Sequence, residues 1–170
     1  MDQMKKSFTE NKDLFNSPLE VALRLLFIFK STDKALDQQR LIYYNYLVAH
    51  SSDIPNAPKS LHADLPRRSC EILVNRVIIK KGLTLLLSKG LIDVVYSKKG
   101  VKYKQNKSTG LLTKYFTSTY SKNLEESAQW LCSEFDSLNE KSLSEFIDKN
   151  LGKWGSEFST ELDLGGDVYA

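Results

Sequence analysis

The chain has 170 residues, 41% of them hydrophobic and 26% charged, which suits a soluble folded unit and excludes wholesale disorder. Its longest apolar run, Leu25 to Phe29, is too short to span a bilayer, and a polar opening with only Cys70 and Cys132 as cysteines points to a cytoplasmic protein with reduced thiols. The net charge of +3 hides an asymmetry: residues 1–123 carry 21 Lys and Arg against 10 Asp and Glu, whereas residues 124–170 carry 3 against 11.

Residues 1–16 read as a flexible leader. Ser17-Pro18 is an N-cap followed by proline at the first helical position, with Glu20 in the first turn. The helix that follows places Val21, Leu25, Ile28 and Phe29 on one face and stops near Ser31. Asp37 opens a second helix with Leu41, Tyr44 and Val48 on one stripe, leaving Tyr43 and Tyr46 off it as an outward pair suited to an interface. A loop from Ser51 to Pro66, with Pro55, Pro58 and Pro66, is longer than most helix connections.

A long helix starts at Arg67-Arg68. Ile72, Leu73, Val77, Ile78, Leu83, Leu86 and Leu87 repeat at three and four; Gly82 is a candidate break, and Gly90 ends the helix as a C′ glycine. The period then changes to two. LIDVVYS and VKYKQN, joined by Lys98-Lys99-Gly100, form a hairpin. Three further helical segments follow (TGLLTKYFTSTYS, NLEESAQWLCSEFDSL and SLSEFIDKNL), and the last nineteen residues lack helical period. Helix, helix, loop, helix, hairpin is the order of a winged helix-turn-helix, so the fold class is mainly α: a winged-helix core with a two-stranded wing and C-terminal helices. The expected organisation is a leader over 1–16, a winged-helix domain over 17–107, a helical extension over 108–151, and an acidic, extended tail over 152–170.

The wing carries Lys98, Lys99, Lys102, Lys104 and Lys107 without an acid between 94 and 110, a pattern that suits contact with a DNA backbone and equally a solvated edge guarded against strand pairing. The helix before it offers few side chains able to read base edges. His50, Asp53, His62, Asp64 and Cys70 match no standard metal-ligand spacing, and two histidines flanking a proline loop read as loop fasteners. No activated nucleophile and no phosphate-cradling glycine loop are present, so neither an enzyme nor a cofactor is expected. Arg67 and Arg68 sit at a helix start, where the dipole favours anions, and call for a carboxylate from the loop or a partner. In the tail, Trp154, Phe158, Leu162, Leu164 and Tyr169 alternate with acids and read as docking anchors.

One segment carries a family likeness. It holds a tyrosine-rich helix with Tyr44, Tyr46, Leu47, His50 and Asp53, then a loop with Pro58, Ser60, Leu61 and His62, then Pro66, Arg68, Ser69, Glu71, Leu73, Val74, Arg76, Gly82 and Leu83. Trp154, Gly155, Glu157 and Phe158 match an element near the end. These residues resemble the middle-component proteins of bacterial three-component ABC systems, the subtype also found as the small subunit of Lamassu-type defence. Two departures stand out: Asn45 where an acidic residue is usual, and Asn75 where a second arginine is common. The resemblance implies partners rather than a reaction. The expected role is a non-catalytic adaptor linking an SMC-like ATPase to an effector, expected to be a nuclease, with nonspecific double-stranded DNA as a third contact. Tyr43, Tyr46, His50, Asp53, His62, Arg67, Arg68, Trp154, Phe158, Leu162 and Leu164 are then the partner-facing candidates. The rival reading is a stand-alone dimeric winged-helix transcription regulator, in which Phe116, Tyr120, Trp130 and Phe135 would build the dimer.

Overall fold

A computed structural model describes residues 17–63 and 68–151; for Asp53, residues 68–75 and Leu151 it describes the backbone alone. Six helices and a small three-stranded sheet follow one another as α1 (Pro18–Lys30), β1 (Leu36–Asp37), α2 (Gln38–Ala49), a 3-10 turn (Ser51–Asp53), α3 (Arg68–Ser88), β2 (Ile92–Ser97), β3 (Gly100–Gln105), α4 (Lys107–Thr113), α5 (Thr119–Phe135) and α6 (Glu140–Leu151).

Local chemistry sets most of these boundaries. Ser17 accepts a hydrogen bond from the Glu20 amide, with Pro18 at the first helical position, and Asp37 accepts one from the Arg40 amide. At the end of α3 the amide of Gly90 bonds to the Leu87 carbonyl and that of Leu91 to the Leu86 carbonyl, the paired arrangement that a left-handed residue permits; Gly90 has φ +64°. Gly100 closes the hairpin at φ +113°.

Helix α1 is apolar on nearly every side, and Val21, Leu25, Phe27, Ile28 and Phe29 are all fully buried. Helix α2 lies against it, and α3 covers both. Leu124, Ala128, Leu131 and Phe135 of α5, with Leu143 and Ile147 of α6, join the same core, so the C-terminal helices share the interior of the first three.

Four features differ from the sequence expectations. The hairpin gains a third strand: Leu36 pairs with Tyr103 and Asp37 with Lys102, giving the antiparallel order β1-β3-β2. Two residues are too few to show a period of two. Helix α3 runs unbroken through Gly82. That glycine instead allows a close approach, because a Cβ there would lie 3.1 Å from Val21 and 3.3 Å from the Ala22 backbone. Val77 is 66% exposed and Ile79 takes the inward position, as happens where three consecutive apolar residues leave the phase open. The break after the hairpin falls at residues 114–118 rather than near 122, because Ser118 caps α5 through the Ser121 amide.

No helix among the described residues is long and apolar enough to cross a membrane.

Candidate interaction surface

The five lysines on and beside the hairpin divide by position. Lys98 and Lys99 form the exposed hairpin turn, and Lys107 begins α4, also exposed. Lys104 stands opposite Asp93, and Lys102 opposite Val95 on one side and Asp37 on the other. The carboxylates at the root of the hairpin already have partners. Asp93 accepts from Asn106 Nδ2 at 2.9 Å, Asp33 from Gln105 Nε2 at 2.8 Å, and Asp37 from the Arg40 amide at 2.8 Å.

The tyrosine pair on α2 is not outward. Tyr46 is 1% exposed and its ring lies 5.1 Å from that of His50. Tyr43 is half-buried, its hydroxyl 3.5 Å from Ser144. The expectation failed because α2 is surrounded, touching α1, α3, α5 and α6, so a residue off one stripe meets another neighbour rather than water. His50 is also buried. Arg67, Trp154, Phe158, Leu162 and Leu164 lie outside the described residues, as do the side chains of Asp53 and Arg68.

The histidine loop is held by its own polar groups. The amides of Leu61 and His62 both donate to the Ala49 carbonyl, and Ser51 Oγ donates to the Pro58 carbonyl at 2.7 Å. Ser52 and Ser60 exchange two bonds, each hydroxyl accepting from the other's amide. The His62 ring meets the His50 ring edge-on at 5.9 Å, and its Nε2 lies 3.2 Å from Glu20 Oε1.

That carboxylate is a junction. Arg24 Nη1 donates to the same oxygen at 3.1 Å and the Tyr120 hydroxyl at 3.2 Å, so α1, the loop and α5 meet there. Arg24 is buried, and its Nε donates to Asn45 Oδ1 at 2.8 Å. Asn45 thus faces a guanidinium that forms an ion pair with Glu20.

A second polar clasp ties the C-terminal helices on. Arg40 donates to the Tyr44 hydroxyl at 3.1 Å, to the carbonyls of Phe135 at 3.2 Å and Leu138 at 2.6 Å, and to Glu140 at 3.3 Å. The Tyr44 hydroxyl donates in turn to Asp136 Oδ1 at 2.8 Å, and Thr32 to Asp136 Oδ2 at 2.5 Å. Sequence reasoning passed over both clasps, since nothing in one sequence links Arg40 to carbonyls nearly a hundred residues away.

Burial, then the Glu20 charge, pushes the Tyr120 phenol up to about 12. Burial, then Asp136, pushes the Cys132 thiol up to about 12, and burial ahead of the Asp136 bond raises the Tyr44 phenol. Each group folds in its protonated form. Their contribution to stability is complete below the pH where the free groups ionise and is lost as pH rises through the folded values. The urea midpoint is therefore expected to fall steeply between about pH 9 and 12, and Tyr120→Phe to flatten part of that fall. A midpoint unchanged across this window would contradict the assignment.

Among the described residues no group of three or more His, Cys, Asp or Glu is placed to hold a metal ion. Cys132 Sγ is buried against the Ile28 carbonyl at 3.9 Å, a packed thiol rather than an exposed nucleophile.

Among the described residues, exposed large apolar side chains concentrate on the hairpin, α4 and the turn after it, beside exposed lysines, while the distinctive polar residues of the interior hold the helices together. No curated protein and no solved structure matches the chain. A family model does, that of the ABC-three component (ABC-3C) system Middle Component 2, over residues 14–157. That span takes in both clasps, the histidine loop and the hairpin, and the chain belongs to this middle-component family.

Proposed function

We propose that this protein is a non-catalytic adaptor with a winged-helix core, joining an SMC-like ATPase to an effector, read as a nuclease, within one defence complex. The observation that carries the reading is where the chemistry lies. The buried charged groups, Arg24 and Arg40, are occupied in holding helices together, while cations and bare apolar groups gather on the hairpin and α4. The element order, with a hairpin after the third helix and a short strand added to its β3 edge, supports the winged-helix assignment. Family membership supports association with other components of the same system. The test is co-expression with the genes encoded beside it. The adaptor is expected to bring down ATPase and effector together, and recovery of this chain alone would defeat the reading.

DNA contact is a second element, favoured by the exposure of the Lys98-Lys99 turn. Changing Lys98, Lys99, Lys102 and Lys104 to Glu is expected to weaken duplex binding by the assembled complex. It should also flatten the salt dependence by about one unit of slope per lost phosphate contact. An unaltered slope would leave the lysines as a guarded edge.

The stand-alone regulator is less well supported. Phe135 is buried, Trp130 packs on it at 6.2 Å, Tyr120 bonds to Glu20 and Phe116 packs edge-on against Phe27 at 6.1 Å, so all four proposed dimer aromatics have contacts within the chain.

A further inference from the structure

The pleat sends Ile92, Val94 and Tyr96 of β2 to the same face as Gln105, Tyr103 and Val101 of β3, in the register Ile92–Gln105, Val94–Tyr103 and Tyr96–Val101. At the root Ile92 is buried, and Val94 and Tyr103 are half-buried. At the tip Tyr96 is 82% exposed and Val101 45%. A face that is core at one end continues as a bare apolar strip at the other.

The chain runs directly from this hairpin into α4, where Leu111 is 59% exposed, and on into the turn after it, where Tyr115, four residues further, is 83% exposed. Among the large apolar side chains exposed in the described residues, all but Leu19 and Val77 fall between Val95 and Phe116. Singly scattered apolar residues are normal on a surface, but this concentration is not scatter. The same region has no acid between Asp93 and Glu125, while Lys98, Lys99, Lys102, Lys104, Lys107, Lys114 and Lys122 lie within it.

Phosphate contact explains lysines and leaves the bare aromatics unexplained, since a duplex keeps its bases stacked and offers its backbone. A solvated edge explains them no better, because its defence is charge. A protein segment bearing both carboxylates and apolar side chains uses both features.

We propose that the hairpin tip, the exposed side of α4 and the turn after it are the docking surface for an acidic segment of a partner subunit. Its apolar anchors meet Tyr96, Val101, Leu111 and Tyr115, and its carboxylates meet Lys98, Lys99 and Lys114. This rests on the adaptor reading and adds to it the place and chemistry of one contact.

The test uses the full chain with the ATPase and effector subunits encoded beside it, and the exchanges Tyr96→Ser, Val101→Thr, Leu111→Ala and Tyr115→Ser combined. Every lysine stays, and so does Phe116, whose ring packs edge-on against Phe27 at 6.1 Å. The combined variant is expected to melt within about 2 °C of the parent. It should bind one partner subunit roughly tenfold or more weakly, while retention on a short DNA duplex changes by less than about twofold. Should the combination melt early, Tyr96→Ser and Tyr115→Ser alone are each expected to weaken partner binding about threefold. Unchanged partner affinity in a well-folded variant overturns the proposal and leaves the adaptor reading standing. Loss of nucleic-acid retention with partner affinity intact overturns it in favour of a base-stacking platform. A parent chain that holds neither subunit removes the adaptor reading and this surface with it.

Discussion

Arg40→Met is expected to loosen the C-terminal helices and cost roughly 3–5 kcal/mol of stability, the range for stripping one partner from a buried charged cluster. The side chain is 5% exposed and spends its donors on four groups: the Tyr44 hydroxyl, the carbonyls of Phe135 and Leu138, and Glu140. Methionine keeps most of the apolar stem and removes every donor, so the loss is of hydrogen bonds rather than volume. The Glu140 pair contributes little, since that carboxylate is 56% exposed and screened by water. The penalty comes from the two carbonyls at the end of α5, which lose their guanidinium donor where the chain turns into α6. With total stabilities of roughly 5–15 kcal/mol typical of domains, such a loss lowers the melting temperature by about 10 °C. Arg40→Lys should recover little, because one ammonium cannot reach four acceptors spread across a planar fork. Urea unfolding settles it: a loss under about 1 kcal/mol would show that water replaces the guanidinium without penalty.

The parts of this fold that were legible are those where one residue's chemistry acts on its own neighbours. Ser17 and Asp37 as caps, Gly90 as the end of α3 and Gly100 at the hairpin turn each follow from what a hydroxyl, a carboxylate or a missing Cβ does within four residues. The inward stripe of α1 was correct as far as it went, but a helix buried on nearly every side has no outward face for a stripe to define. The same circumstance hid Tyr46 and His50, whose burial depends on the histidine loop lying over the end of α2. The two-residue β1 and the role of Gly82 are consequences of tertiary approach, and neither leaves a periodic signal.

The candidate surface was half legible. The lysines on and beside the hairpin stand out in any sequence reading, and the structure places Lys98, Lys99, Lys104 and Lys107 in the open. The apolar half was not, because Tyr96, Val101, Leu111 and Tyr115 look like ordinary core positions of a strand or helix. Only the register of the hairpin shows that its inner face outruns the body it covers.

Arg24 gives the largest expected effect near the departure at position 45. Its side chain is 1% exposed and donates to Glu20 Oε1 and Asn45 Oδ1. Arg24→Met is expected to cost about 3–5 kcal/mol, since the Glu20 carboxylate, itself 15% exposed, would lose a cation while keeping its charge. Asn45→Asp introduces the acid that the family resemblance implies at this position and preserves the acceptor oxygen facing Arg24 Nε. In the presence of Arg24 the exchange should be neutral or stabilising by up to about 1 kcal/mol, because the gain in attraction offsets the desolvation of a second carboxylate. Combined with Arg24→Met it should be worse than the sum of the two single changes, as two buried carboxylates then lie near one another without their shared cation. A coupling energy of about 1–3 kcal/mol in a double-mutant cycle is the expected result. Additive single effects would mean that Arg24 and residue 45 touch without sharing charge.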